Sequence, residues 1–223
     1  MNGWWVSDMM QWGGPAFVAS WAVWVIGSIV LHELSHGWAA IRQGDDTPIE
    51  TGHMTWNPVV HMGMFSLIAF AIIGIAWGMM PVNPNRFRSR RGESIVAFAG
   101  PAMNLLLAAI AIVALSLWTV YGIRKEPVFE NVQFFFLIGA VLNIVLAMFN
   151  LIPVPPLDGS RILEDFFPQS RRLYEGERGA VIGILLFFAI FWFAGDILFG
   201  TAFEVVTWCR EQIVGILPVP PTV

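Results

Sequence analysis

The sequence is poor in charged residues. Only 13% of its 223 residues are Asp, Glu, Lys or Arg, whereas about a quarter are charged in a typical soluble domain. Hydrophobic residues make up 57% of the chain and include 18 phenylalanines and 11 tryptophans, which favour apolar cores and membrane interfaces. This composition excludes an ordinary soluble domain and predicts a single membrane-embedded domain over residues 1–223.

Cysteine and basic patches are also scarce. The single cysteine, Cys209, excludes an intramolecular disulfide and any zinc site that is built from several cysteines. No cluster of basic residues alternates with aromatic residues, so we expect no nucleic-acid partner. The first fourteen residues contain neither lysine nor arginine, whereas a cleavable signal peptide needs a basic beginning, so we expect none here.

Long apolar runs are abundant. Five of them approach the roughly 20 residues that cross a bilayer, and they cover residues 15–41, 62–80, 94–121, 132–156 and 179–200. Residues 49–60 are mixed in polarity and lie between prolines, which predicts a short β-hairpin or loop. Residues 202–217 combine helical spacing of apolar residues with charged residues, which predicts an interfacial helix.

The twelve basic residues are divided unequally between the two sides of the predicted membrane segments. If all five apolar runs cross, eight basic residues lie on one side and four on the other. If residues 62–80 enter and return on the same side, the division becomes nine against three. Cytoplasmic loops carry the excess of basic residues, but the two divisions are too similar to decide the topology by themselves.

Two histidines and a glutamate interrupt the first apolar run. In HELSH, His32 and His36 are four positions apart, so a helix places them on one face with Cβ atoms roughly 5–6 Å apart, as two zinc ligands require. Glu33 lies about 100° around the helix and can act as a general base. A pair of core histidines beside an exposed glutamate is the alternative. Inserting an acidic residue at the centre of a membrane helix costs about 2.5–3.5 kcal/mol. This cost favours a functional metal site over the alternative.

Catalytic zinc needs a third protein ligand. Asp45 and Asp46 follow a glycine in a predicted turn, whereas Asp158 follows an apolar run and three prolines. Prolines interrupt the helix and leave irregular backbone at membrane depth, which is tolerated only inside protein or beside a wet cavity. Asp158 is therefore the main candidate, although considered by itself it would be better interpreted as the N-cap of the helix that follows it.

Three motifs in this order resemble the site-2 protease family of intramembrane zinc metalloproteases. They are HELSH at 32–36, GPAMN at 100–104 and NLIPVPPLDG at 150–159. Residues 52–61 and 81–93 are also similar to the connecting regions of bacterial and archaeal members without PDZ or CBS domains. The resemblance covers about residues 20–165 and implies one Zn²⁺ held by His32, His36 and Asp158, with Glu33 as the catalytic acid/base. It also implies that Asn104 and Asn150 lie near the substrate.

A shared zinc ion constrains the topology. His36 lies near the end of the first run and Asp158 follows the end of 132–156, so the two meet on one side only if 62–80 is re-entrant. We therefore expect an all-α polytopic membrane protein with four spanning helices, a re-entrant hydrophobic hairpin and a short β-hairpin near the active site. The catalytic core would cover about residues 15–165, with C-terminal helices in 179–217.

The predicted function is hydrolysis of peptide bonds within or next to transmembrane segments of other membrane proteins. We expect a multi-pass protein of the cell (inner or plasma) membrane, with its active site nearer the basic, cytoplasmic face. Its partners would be the lipid bilayer and a transmembrane substrate, held in extended form along 49–60 near Thr55.

Several alternatives stay open. Asn104 either bonds the substrate or joins two helices, while the position of Asn150 near Asp158 favours the site. A catalytically inactive zinc-binding scaffold and a metal-ion transporter are the other functions compatible with these residues. The sequence shows no internal repeat, which transporters usually have.

Overall fold

The computed structural model describes residues 4–174 and 176–218. Within these ranges the chain forms helices joined by turns and irregular segments, and no β-strand occurs. In chain order, the α-helices are α1 (Trp5–Gln43), α2 (Thr47–Glu50), α3 (Pro58–Ile73), α4 (Gly92–Tyr121), α5 (Val128–Asn150), α6 (Asp158–Phe166), α7 (Arg171–Tyr174), α8 (Gly176–Phe193) and α9 (Gly195–Ile216). The prediction of an all-α membrane protein is confirmed.

Three of the described helices, α1, α4 and α5, are long and apolar enough to cross a membrane. A fourth span exists if Val181–Phe193 and α9, which meet at an angle of 55°, cross together. The sequence therefore specifies three or four candidate spans by length and composition, and α3 is a shorter apolar helix.

Small side chains bring α4, α5 and α9 close together. Ala108 and Ala111 of α4, Ala140 of α5 and Ala202 of α9 are at most 2% exposed and belong to one buried cluster. Membrane helices commonly pack through such small residues because their backbones can then approach closely. Val206 of α9 is fully buried in the same cluster, so α9 is part of the bundle.

Two glycines define the limits of the straight part of α1. Gly14 has non-helical angles (φ 71°, ψ −172°) and precedes Pro15, so the helix is kinked there. Gly44 ends the helix in the left-handed conformation (φ 95°), and its N–H bonds the carbonyl groups of Ala40 and Ile41. The HELSH motif lies in the last third of this helix, where the side chains are buried.

The chain reverses direction after α3. Gly74 ends that helix in the left-handed conformation (φ 77°), and residues 75–83 return without regular structure. The return is held by hydrogen bonds from the Trp77 N–H to Ser66 Oγ (2.9 Å) and from the Met79 N–H to the His61 carbonyl (2.9 Å). The segment therefore leads back towards the beginning of α3.

The predicted β-hairpin over residues 49–60 is wrong. Helix α2 occupies the start of this stretch, turns and bends follow, and α3 begins at Pro58. Prolines lie in the first turns of both helices, where their fixed φ is suitable and their missing N–H costs nothing. Asn57 Oδ1 accepts the Val59 N–H at 3.0 Å and caps α3. The prolines at the two ends of this stretch, Pro48 and Pro58, therefore mark the beginnings of helices and not the limits of a strand.

The C-terminal region also differs from the prediction. The break falls at Ala194, not near residue 201, and one continuous helix runs from Gly195 to Ile216. Ala202 and Val206, which are 0% exposed, pack it against α4 and α5. Residues 202–217 therefore do not form a separate interfacial helix, because their apolar side chains pack against α4 and α5.

Asp45, which is fully buried, ties the end of α1 to the segment before α4. Its Oδ1 accepts the Thr47 N–H (3.1 Å) and hydroxyl (2.5 Å), and its Oδ2 accepts the Asn83 N–H (2.6 Å). Burial raises the pKa of the Asp45 carboxyl, but these hydrogen bonds and the charge of Arg86 outweigh it and hold the pKa below its ordinary value. Asp45 is thus engaged in holding loops and not in binding metal.

The Asp45→Asn variant is expected to lose about 1–3 kcal/mol of unfolding free energy near neutral pH, because one amide N–H would face the donor of Asn83. Since the folded-state pKa of Asp45 is lowered, its contribution is fully present above the unfolded pKa of about 3.9 and is lost as the pH falls through the folded value. The free energy of unfolding of the wild type and of Asp45→Asn, measured between pH 7 and 3, tests this expectation. Asp46→Asn, at the exposed neighbouring position, is the control, and an equal loss of stability in it would contradict the role given to Asp45.

Candidate metal centre

Helix α1 and the first residue of α6 bring three side chains of metal-ligand type together. His32 Nε2 and His36 Nε2 are 2.9 Å apart. Asp158 Oδ2 lies 3.1 Å from His32 Nε2 and 3.4 Å from His36 Nε2. The histidines are each 8% exposed, and the group could hold a metal ion. The structure thus brings together the three residues that were predicted as ligands.

The donor atoms fit a zinc ion. Tetrahedral zinc with bonds of roughly 2.0–2.1 Å holds its ligand atoms roughly 3.3 Å apart, close to the distances seen here. His36 Nδ1 donates to the Val96 carbonyl at 2.7 Å, so its Nε2 carries a lone pair. Asp158 Oδ2 is a buried carboxylate oxygen, and no described residue donates a hydrogen bond to it. Such lone pairs repel one another unless a cation lies between them.

The loop after α5 delivers Asp158 to this point. Helix α5 ends at Asn150, and α6 begins at Asp158 after a turn that contains three prolines. A Cβ atom at Gly159 would lie 2.3 Å from the Leu151 carbonyl oxygen, so only glycine allows α6 to start this close to α5. At the other end of α6, Asp165 Oδ2 accepts the N–H (3.2 Å) and the hydroxyl (2.5 Å) of Ser94 in α4. Helix α6 is therefore held at both ends.

Helix α4 covers the two imidazoles with three residues of one face, Val96, Gly100 and Asn104, which lie four positions apart. The Val96 carbonyl accepts from His36, and Asn104 Oδ1 lies 2.7 Å from His32 Nδ1. Between them, a Cβ atom at Gly100 would lie 2.5 Å from both His32 Nε2 and His36 Nε2. The glycine of GPAMN therefore allows α4 to approach the two Nε2 atoms closely.

The segment that returns from α3 covers Glu33. This glutamate follows His32 in the HELSH motif and is 7% exposed. A Cβ atom at Gly78 would lie 2.5 Å from Glu33 Oε1 and 2.7 Å from its Cγ. The close approach of Gly78 limits the positions that the carboxylate can take.

The other predicted site residues have partners within the protein. Asn104 is fully buried, and its Nδ2 donates to Asn143 Oδ1 at 2.9 Å. Asn150 Nδ2 donates to the Leu146 carbonyl of its own helix at 3.0 Å. The Thr55 hydroxyl accepts the Asn57 N–H at 3.3 Å within a turn. Both ends of the Asn104 amide are thus used, which favours its helix-joining role over a substrate contact.

Sequence reasoning missed two contributors to the site, the Val96 carbonyl and Gly78. A backbone carbonyl has no sequence signature, although its position four residues before Gly100 was a usable signal once GPAMN was taken as a helix face. For Gly78, which lies in the apolar run 62–80, nothing in the sequence shows that the Glu33 side chain lies against it.

Comparison with known proteins agrees with this site. The model of Peptidase family M50 matches residues 20–131 and 117–194. The chain belongs to this family. The M50 chain is 38% identical over 170 residues to "Putative zinc metalloprotease YwhC" of Bacillus subtilis, covering 75% of this chain and 77% of that protein. It is 29% identical over 201 residues to "Putative zinc metalloprotease Rip2" of Mycobacterium tuberculosis, covering 86% and 73%.

Among solved structures, the M50 chain is similar to the site-2 protease from Methanocaldococcus jannaschii. The TM-score is 0.46 at 19% identity, and the match covers 98% of this chain and 88% of that one. Membership of the site-2 protease family, predicted from the three motifs, is confirmed by the family match. The protein is accordingly an intramembrane zinc metalloprotease with zinc as its cofactor.

Proposed function

We propose that His32, His36 and Asp158 bind the zinc ion, that Glu33 is the catalytic acid/base, and that the enzyme cuts peptide bonds within or next to transmembrane segments of membrane proteins. One observation carries this proposal. Three lone-pair atoms converge within 2.9–3.4 Å beside a buried glutamate, in a helix that is apolar enough to cross a membrane.

The roles of the side chains follow from their positions. A zinc ion held by His32, His36 and Asp158 would supply Lewis-acid chemistry, which polarises a peptide carbonyl and makes a water molecule more acidic. Glu33 follows His32 directly on α1, so its carboxylate can accept the proton of the attacking water without being a ligand. The same carboxyl group then donates the proton to the departing amine. Burial of Glu33 keeps this proton away from bulk solvent.

Asn150 is the better candidate for a substrate contact. It is only half-buried at the end of α5, eight residues before Asp158, and its recorded bond to the Leu146 carbonyl uses only one of its amide hydrogens. Its side-chain oxygen is thus suited to accept from an extended substrate backbone. Asn104, with its amide oxygen and nitrogen engaged by His32 and Asn143, is less suited.

We also propose that α3 and the segment returning from it form the re-entrant hairpin. The reversal at Gly74 supports this, because it leaves His36 and Asp158 at the same depth. Nine of the twelve basic residues then lie on the side of the zinc site, which is the cytoplasmic side by the positive-inside rule. In this arrangement the chain forms one domain in the cell membrane. Its catalytic core covers about residues 15–165, and its C-terminal helices lie in 179–217.

Cleavage by the purified protein in lipid vesicles tests the proposal. A generic transmembrane substrate is expected to be cut by the wild type, not to be cut after zinc is removed with a chelator, and to be cut again after zinc is returned. A soluble unfolded polypeptide of similar length is the matched substrate and should be cut more slowly. Zinc binding without cleavage of any transmembrane substrate would instead favour the scaffold, and zinc transport into vesicles would favour the transporter.

The Gly78→Ala variant is expected to keep its zinc but to cleave about 10–100-fold more slowly, because the new methyl group displaces the Glu33 carboxylate from its working position. Zinc content and the rate of cleavage at saturating substrate measure the two effects separately. Gly27→Ala is the control, since a Cβ atom at Gly27 meets no atom within 4 Å. Unchanged cleavage by Gly78→Ala would show that Glu33 does not need this contact.

A further inference from the structure

A buried series of hydrogen bonds leads from His32 across two helices. His32 Nδ1 lies 2.7 Å from Asn104 Oδ1 in α4, and Asn104 Nδ2 donates to Asn143 Oδ1 in α5 at 2.9 Å. Asn143 Nδ2 then donates to the Gly139 carbonyl at 2.9 Å. Asn104 and Asn143 are both 0% exposed, so bulk water does not compete for these bonds.

The last member of the series fixes the direction of every bond in it. The Gly139 carbonyl can only accept, so Asn143 must present its NH₂ group there and its oxygen to Asn104. Asn104 must then direct its NH₂ group to Asn143 and its oxygen to His32. An oxygen facing His32 Nδ1 requires a hydrogen on that nitrogen, which leaves the lone pair on Nε2, the atom that faces His36 and Asp158.

We propose that Asn143 is a positioning residue of the zinc site, which acts through Asn104 to hold His32 in the tautomer whose Nε2 can bind the metal. This rests on the proposed function, since it assumes that His32 is a zinc ligand. An outer hydrogen bond that fixes the tautomer and the ring plane of a ligating histidine is a general requirement of metal sites. Here the group that sets its direction lies one residue further out, on another helix.

The packing around the series keeps it in place. Trp24 of α1 lies against Gly139, where a Cβ atom would be 2.1 Å from Trp24 Cε2, and the Trp24 indole N–H donates to the Phe135 carbonyl at 2.8 Å. The end of the series is thus covered by the same helix that carries His32. Without an acceptor at position 143, the Asn104 amide could turn over and direct its NH₂ group towards His32, which would favour the tautomer that cannot bind zinc through Nε2.

The test compares variants that keep or remove the acceptor at position 143. Asn143→Leu and Asn143→Ala both remove it. Asn143→Asp keeps it, because a protonated carboxyl group at this fully buried position donates its hydroxyl to the Gly139 carbonyl and presents its other oxygen to Asn104. Ser116→Ala is the matched control, because it removes another fully buried polar group of the bundle, whose hydroxyl donates to the Ile112 carbonyl of its own helix. Zinc affinity is measured with a competing chelator, and the thermal stability of the zinc-free proteins is measured in parallel.

Zinc affinity is expected to fall about 10–100-fold in Asn143→Leu and Asn143→Ala and to stay close to the wild-type value in Asn143→Asp and Ser116→Ala. Cleavage by Asn143→Leu should recover when free zinc is raised, which a general loss of packing would not produce. Wild-type affinity in both Asn143→Leu and Asn143→Ala overturns the proposal. An equal loss in Asn143→Asp also overturns it, because packing and not bond direction would then be responsible. A wild-type protein that binds no zinc refutes the proposed function itself.

Discussion

Replacing Gly100 by alanine is expected to weaken zinc binding severely, and with it proteolysis, in a protein that still folds. The new Cβ atom would lie 2.5 Å from His32 Nε2 and His36 Nε2, a distance at which neither imidazole can stay where it is. The same two nitrogen atoms face Asp158 Oδ2, so moving them separates the three proposed ligand atoms. Alanine favours the helical backbone over glycine by about 1 kcal/mol, so α4 itself should not be weakened.

The expected loss of zinc affinity in Gly100→Ala is at least about 100-fold, at the upper end of what a lost supporting contact costs. Bound zinc, cleavage of the transmembrane substrate and thermal unfolding are measured on the same preparation. Gly27→Ala, a helical glycine of α1 with open space around it, should behave as the wild type in all three. If Gly100→Ala holds a full equivalent of zinc, α4 does not approach the histidines as the structure shows.

The Glu33→Gln variant is expected to hold zinc as tightly as the wild type and to cut its substrate about 10²–10⁴-fold more slowly. Glutamine has nearly the same shape as glutamate, so the close contact with Gly78 is preserved. An amide cannot accept the proton of the attacking water, so the substitution removes the acid/base group together with its negative charge and keeps its shape. The proposed ligands His32, His36 and Asp158 are unchanged.

Zinc content and the rate of cleavage, measured together, separate this result from its alternatives. Glu130→Gln removes an exposed carboxylate at the start of α5 and should leave both quantities unchanged. If Glu33→Gln loses its zinc as well, Glu33 supports the metal site and is not a pure acid/base. If it cuts at the wild-type rate, another group moves the proton, and the proposed role of Glu33 is wrong.

The elements that could be predicted are those whose signal is local. The apolar runs at 94–121 and 132–156 correspond to α4 and α5 because about 20 apolar residues have few other stable arrangements in a membrane. The stretch 49–60 could not be predicted in the same way. Its prolines are compatible with a bounded strand or with helix starts, and the choice depended on the capping of α3 by Asn57 and on the loops that Asp45 holds.

The candidate site also contains residues that local spacing identifies and residues that it does not. HELSH places two imidazoles on one helix face by spacing alone, so His32, His36 and Glu33 could be identified from the sequence. The pairing with Asp158 needed the resemblance to the family and an argument about topology. The role of Asn143 could not be predicted, because an asparagine inside a membrane helix is as often a packing residue, and its bond to Asn104 joins positions 39 residues apart.

By itself the sequence determined that this chain lies in a membrane, that it carries the zinc motif of an M50 peptidase, and which residues belong to that motif. These are consequences of composition and of spacing along single helices. Only the tertiary structure decided how closely α4 approaches the histidines at Gly100, how the returning segment covers Glu33 at Gly78, and in which direction the Asn104–Asn143 bonds run. These contacts join separate segments, and their distances depend on how whole helices pack.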